Sequence, residues 1–144
     1  RQAKLLAMNA TATESHIARV RVVEKSDEKL VVGITGTHYQ IHLKPTAAVA
    51  TPVGKRTKGV IRTDVWKVDF VSAGGGAFVE PVYGRPRRVQ GRVVGTAPGP
   101  NSVIVDVCGC PFVGDLPDRW QAADMKPGIR VGLEVHRGAT FEPV

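Results

Sequence analysis

The sequence predicts an all-β protein made of two similar small modules in tandem, with a short helical segment ahead of them. Three observations carry that reading. Apolar residues recur at every second position, as Val20 and Val22 do against Arg19 and Arg21, which is the period of a half-buried strand. Glycine and proline punctuate these runs where turns are needed, at Gly36, Pro45, Gly74-Gly75-Gly76 and Pro98-Gly99-Pro100. The pattern is also written twice. Gly76-Ala77-Phe78-Val79-Glu80-Pro81-Val82 closes one half and Gly138-Ala139-Thr140-Phe141-Glu142-Pro143-Val144 closes the other. Gly36, Tyr39 and Leu43 match Gly109, Phe112 and Leu116, and Phe78 and Phe141 are expected to occupy equivalent elements.

Taken in order, residues 1–16 form an arm whose Ala, Leu and Lys run at residues 2–8 favours helix, although so short a helix needs a neighbour to hold it. The first module spans residues 17–83. Its first strand carries Val20 and Val22 inward, Lys25-Ser26-Asp27-Glu28 is a polar hairpin turn, and Leu30 starts the second strand. Tyr39, Ile41 and Leu43 then alternate against Gln40, His42 and Lys44 until Pro45, which cannot donate to a ladder. A helical turn is expected near Thr46 and Val49. Residues 60–63 and 65–71 read as two further strands, and Gly74-Gly75-Gly76 as a hairpin turn into residues 78–82. Residues 84–87 are the junction. The second module, residues 88–144, repeats the order, with a short helical turn expected within residues 115–125.

Strand, hairpin, strand, strand, irregular or helical connection, strand, strand resembles the five-stranded barrel of OB-fold modules. Lys126-Pro127-Gly128-Ile129-Arg130-Val131 is similar to the glycine turn that admits a late strand in such modules. The resemblance covers both halves in pattern and implies two OB-like barrels related by an internal repeat. A pair of SH3-like barrels or one intertwined sandwich fits the same order. Each half has about sixty residues, marginal for an independent core, so the halves are expected to pack on each other or share strands.

The formal net charge of +7 favours a polyanion as partner. Lys55, Arg56, Lys58 and Arg62 form one basic cluster, and Arg85, Arg87, Arg88 and Arg92 form another. Beside them Trp66 and Tyr83 are candidate stacking platforms for RNA or single-stranded DNA. Aromatics make up only 6% of the chain, and Tyr39, matched by Phe112, reads as a core residue.

Cys108 and Cys110 fit neither a zinc knuckle nor a redox pair. With Thr35 and Thr37 at the matching positions they read as small buried residues, reduced and metal-free. The four histidines lack ligand spacing, and no nucleophile elbow or phosphate-binding loop is present. The chain is therefore expected to be non-catalytic and to need no cofactor or metal. No stretch has the length of a membrane span and none resembles a signal peptide; the start at Arg1 fits a fragment or processed form, and reduced thiols favour the cytoplasm. The leading expectation is an interaction or assembly module, through a protein partner or self-association. Single-stranded nucleic-acid binding is the alternative.

Overall fold

The structure is a computed structural model that describes residues 14–72 and 74–144; the helical segment expected at residues 2–8 lies outside them. The alternating Val, Ile and Leu runs form eleven strands among the described residues: β1 (Ala18–Lys25), β2 (Leu30–Gly33), β3 (Gln40–Pro45), β4 (Arg56–Val71), β5 (Phe78–Glu80), β6 (Tyr83–Gly84), β7 (Arg88–Thr96), β8 (Ser102–Val107), β9 (Cys110–Asp115), β10 (Arg130–Val135) and β11 (Thr140–Pro143). None of the described helical segments is long and apolar enough to cross a membrane.

Five strands close into a barrel in the order β1–β2–β3–β11–β4 and back to β1. Its closing strand, β11, comes from the far end of the chain, running parallel to β3 and antiparallel to β4. The halves therefore share strands. A second circuit of pairings runs β7–β8–β9–β4–β10 and returns to β7. One apolar cluster runs through both, from Val20, Leu30 and Ile41 to Val105, Phe112 and Leu133.

β4 joins the two circuits. It was expected as two segments, yet nothing between Val60 and Val71 breaks the ladder, so it continues and changes partners instead. Residues 56–59 pair with β1, 59–62 with β11, 62–64 with β9 and 65–71 with β10. The register slips at Trp66, an extra residue opposite Glu134 and Val135, as in a β-bulge. At the crossing with β11, Gly59 lies against the Phe141 ring so closely that a Cβ would overlap it.

Several expectations are corrected. Phe78 and Phe141 occupy unrelated elements: Phe78 is half-buried on β5 beside β7, whereas Phe141 is buried on β11 between β3 and β4. In the matched segments Val79, not Phe78, stands level with Phe141, and Val79 gains its burial opposite Val89. For the same reason Gly74-Gly75-Gly76 is not a hairpin turn, since β5 pairs with β7 rather than with β4. Residues 46–49 bend without forming a helical turn, while Ala122–Asp124 does form one 3-10 turn. Tyr39 does pack against the core, half-buried, with its hydroxyl accepting the Val79 N–H at 3.3 Å, whereas Phe112 is fully buried. Cys108 is exposed at a tight turn, with φ of 53° followed by 84° at Gly109, and only Cys110 is buried.

Candidate nucleic-acid interface

Inward-facing Val20, Val22, Val32, Ile41 and Leu43 fill the first barrel, so their neighbours in sequence must face outward. β1 lies between β4 and β2, and Arg21 is paired on both sides: opposite Arg56 on β4 and opposite Gly33 on β2. Gly33 in turn stands opposite Gln40 on β3, and Gln40 opposite Tyr83 on β6. Arg56, Arg21, Gly33, Gln40 and Tyr83 thus form one row across five strands of the outer face. Four strand spacings put roughly 19 Å between its ends, measured along the sheet.

At one end the charge is concentrated. Arg19 stands opposite Lys58, as Arg21 does opposite Arg56, and all four side chains are exposed. Lys55 is exposed at the turn before β4. None of these five forms an ion pair among the described residues. In the middle, Gly33 leaves the face low, and the Arg21 guanidinium lies over it: a Cβ there would come within 3.1 Å of Nη2.

At the other end Tyr83 is 62% exposed and meets the His42 ring edge-on, with centroids 4.7 Å apart. His42, Lys29, Lys44 and Arg85 border a neighbouring cleft of about 430 Å³, with Glu28 also on its wall. Burial, then the positive charge of Lys29 and Arg85, hold the His42 pKa below its ordinary value, against the opposing pull of Glu24. This end therefore sets an exposed ring beside Lys44 and Arg85, with Lys29 already paired to Glu24 at 3.8 Å, and beside a histidine whose charged form is disfavoured.

The ten residues singled out from sequence are distributed unevenly. Lys55, Arg56, Lys58, Tyr83 and Arg85 belong to this face. Arg62 is engaged elsewhere, 2.7 Å from Asp115, whose same oxygen accepts the Ser102 hydroxyl at 2.6 Å. Arg88 is laid across Gly132 on β10 and bonds Asp69 at 3.0 Å, Glu134 at 2.6 Å and Gln90 at 2.9 Å. Arg87 and Arg92 are exposed on β7 or just before it, with Arg92 opposite Arg130. Trp66 is 52% exposed on β4, beyond its pairing with β9.

Arg19, Arg21, Gln40, His42 and Lys44 were missed as site residues. Their outward direction follows from the period of two. Only the strand order brings them together with the loop cations. Among the described residues no group of three or more His, Cys, Asp or Glu could hold a metal ion. No family model, curated protein or solved structure matches this chain.

Proposed function

We propose that this chain is a single-stranded nucleic-acid-binding module, with RNA or single-stranded DNA lying across the face formed by β4, β1, β2, β3 and β6. The observation that carries the reading is the row itself, with unpaired cations at one end and an exposed tyrosine at the other. Like charges directly opposite each other weaken a sheet by about 0.2–1 kcal/mol per pair. Two such pairs, Arg21–Arg56 and Arg19–Lys58, are easiest to understand if a polyanion neutralises them. Tyr83 supplies a face for a base, and Lys44 and Arg85 supply phosphate contacts beside it. A track of this length suits a few nucleotides, near the lower end of the roughly 4–16 that one OB fold covers.

The architecture we propose beneath this face is two OB-like barrels related by an internal repeat, divided at residues 84–87. β1–β2–β3 corresponds to β7–β8–β9; the second half lends β11 to the first barrel, and the first half lends the later part of β4 to the second circuit. Anisotropy of a labelled single-stranded 12-mer, competed by unlabelled single strand and by duplex, tests the reading. Single strand should compete far better; equal competition by duplex would count against stacking on Tyr83.

A second reading, an assembly module, is favoured by a different observation. Residues 65–71 of β4 pair with β10 on one side, while pairing with β9 ends at Asp64, and Trp66 and Phe70 are 52% and 64% exposed there. Such an edge suits an added strand from a partner. The mass of the protein in solution, with and without Trp66→Ala and Phe70→Ser, tests it.

A further inference from the structure

At the cationic end of the row, and sharing Arg21, Gly33 and Arg56 with it, lies a second, smaller cleft of roughly 220 Å³, lined by Arg21, Arg56, residues 33–37 and Gly54. It forms where β1 changes partner. Arg21 is the last residue of β1 paired with β4 and the first paired with β2, so the chain leaving β2 and the turn entering β4 flank it. We infer that this cleft is a phosphate-group site, deepening the nucleic-acid reading by giving the strand a terminal phosphate anchor.

Its only charged lining residues are the two arginines, and neither forms an ion pair among the described residues. Guanidinium groups match phosphate oxygens with two parallel N–H donors, which ammonium groups cannot do. Thr35 adds an exposed hydroxyl to the wall, while the neighbouring Thr37 hydroxyl is already used, donating to the Ile34 carbonyl at 2.7 Å. Gly36 and Gly54 have positive φ, at 80° and 92°, and nothing lies within 4 Å of where a Cβ would stand. An anion can therefore approach the backbone at both turns without meeting a side chain. The volume is below the roughly 300 Å³ at which pockets for whole organic ligands begin. It accommodates one phosphate group with its ester oxygen. The base would sit outside, on the track toward Tyr83.

Phosphate could arrive as the end of a strand or as a free ion, and one set of titrations separates these. Labelled 12-mers with a 5′-phosphate, a 3′-phosphate or hydroxyls at both ends are bound to the full chain and to Thr35→Glu, which puts a carboxylate in the cleft and leaves the track cations in place. One phosphorylated end should bind about tenfold tighter than the hydroxyl strand to the unaltered chain, the worth of one hydrogen bond to a charged group. That advantage should vanish in Thr35→Glu and shrink in Arg21→Lys, which keeps the charge but loses the fork. Inorganic phosphate is titrated in parallel, following the Thr35 and Gly36 amide resonances. Saturable shifts lost in Thr35→Glu, without any oligonucleotide binding, would keep the cleft as a site for free phosphate while removing the strand reading. Tight oligonucleotide binding indifferent to end chemistry, with no amide shift, would overturn the cleft and leave the strand reading standing. No phosphate response of either kind overturns it as well.

Discussion

Arg21 and Arg56 stand directly opposite each other on β1 and β4, both exposed, with no carboxylate paired to either among the described residues. Replacing Arg56 with Glu turns this repulsive pair into an attractive one. The variant should be more stable than the parent by about 0.5–1 kcal/mol in urea unfolding, while its affinity for single-stranded oligonucleotides drops at least tenfold. A variant that loses stability and keeps its affinity would show that the pair serves the fold.

The two exposed aromatics should separate. Tyr83→Ala should cost about 1–3 kcal/mol of oligonucleotide affinity, the usual worth of one base stacked on a ring. Trp66→Ala, on the other circuit, should leave affinity unchanged, and tryptophan emission should not quench on binding. Quenching of Trp66 would move the interface to the β4–β10 sheet.

Arg88 should behave as part of the fold rather than of the interface. Its guanidinium holds three partners on three strands, and Arg88→Ala leaves the half-buried Glu134 without a cation and Asp69 with only Lys67 at 3.6 Å, which should cost about 2 kcal/mol. The hydrogen bond from Arg88 holds the Asp69 pKa below its ordinary value. A depressed carboxylate stabilises the folded chain above its unfolded pKa and loses that contribution as pH falls through the folded one. Parent and variant should therefore converge in stability as pH drops below the ordinary carboxylate range. A gap unchanged at acid pH would rule out this ion pair as the source.

The strands were legible because Val20, Val22, Ile41 and Leu43 alternate cleanly with charged neighbours. So were the polar hairpin turn, read at residues 25–28 and found between Lys25 and Leu30, and the end of β3 at Pro45. What the sequence did not carry was partner choice. Nothing in residues 56–71 announces that β4 pairs with four different strands, and nothing in Thr140–Pro143 announces that β11 closes a barrel begun at Ala18, at the other end of the chain. Half of the proposed interface was hidden for that reason. Arg19 and Arg21 read as an ordinary solvated face until β1 is set beside β4, whereas the loop cations Lys55 and Arg56 stand out in the linear chain. Arg62 and Arg88 look identical to them in sequence, and only the distant carboxylates on β9, β4 and β10 distinguish their roles.

The two thiols should differ sharply. Cys110 is buried, and burial, with the nearby Asp106, pushes its pKa up to about 12, whereas Cys108 is exposed on the turn. Since the thiolate is the reactive form, a disulfide reagent at pH 8 should titrate one thiol per folded chain and two after unfolding. Cys108→Ser should abolish the fast phase. Two fast thiols in the folded state would contradict the burial of Cys110.

The interface is tested most directly by the salt dependence of single-strand binding, measured by anisotropy on the parent chain and on Arg21→Ala/Arg56→Ala. For single strands log K falls with log salt by about 0.7 per phosphate contacted. The row and its flanking cations should engage about four phosphates, giving a slope near −3, and removing the two arginines should bring it to about −1.5. A slope near zero, or one that does not change when Arg21 and Arg56 are removed, would contradict nucleic-acid binding on this face.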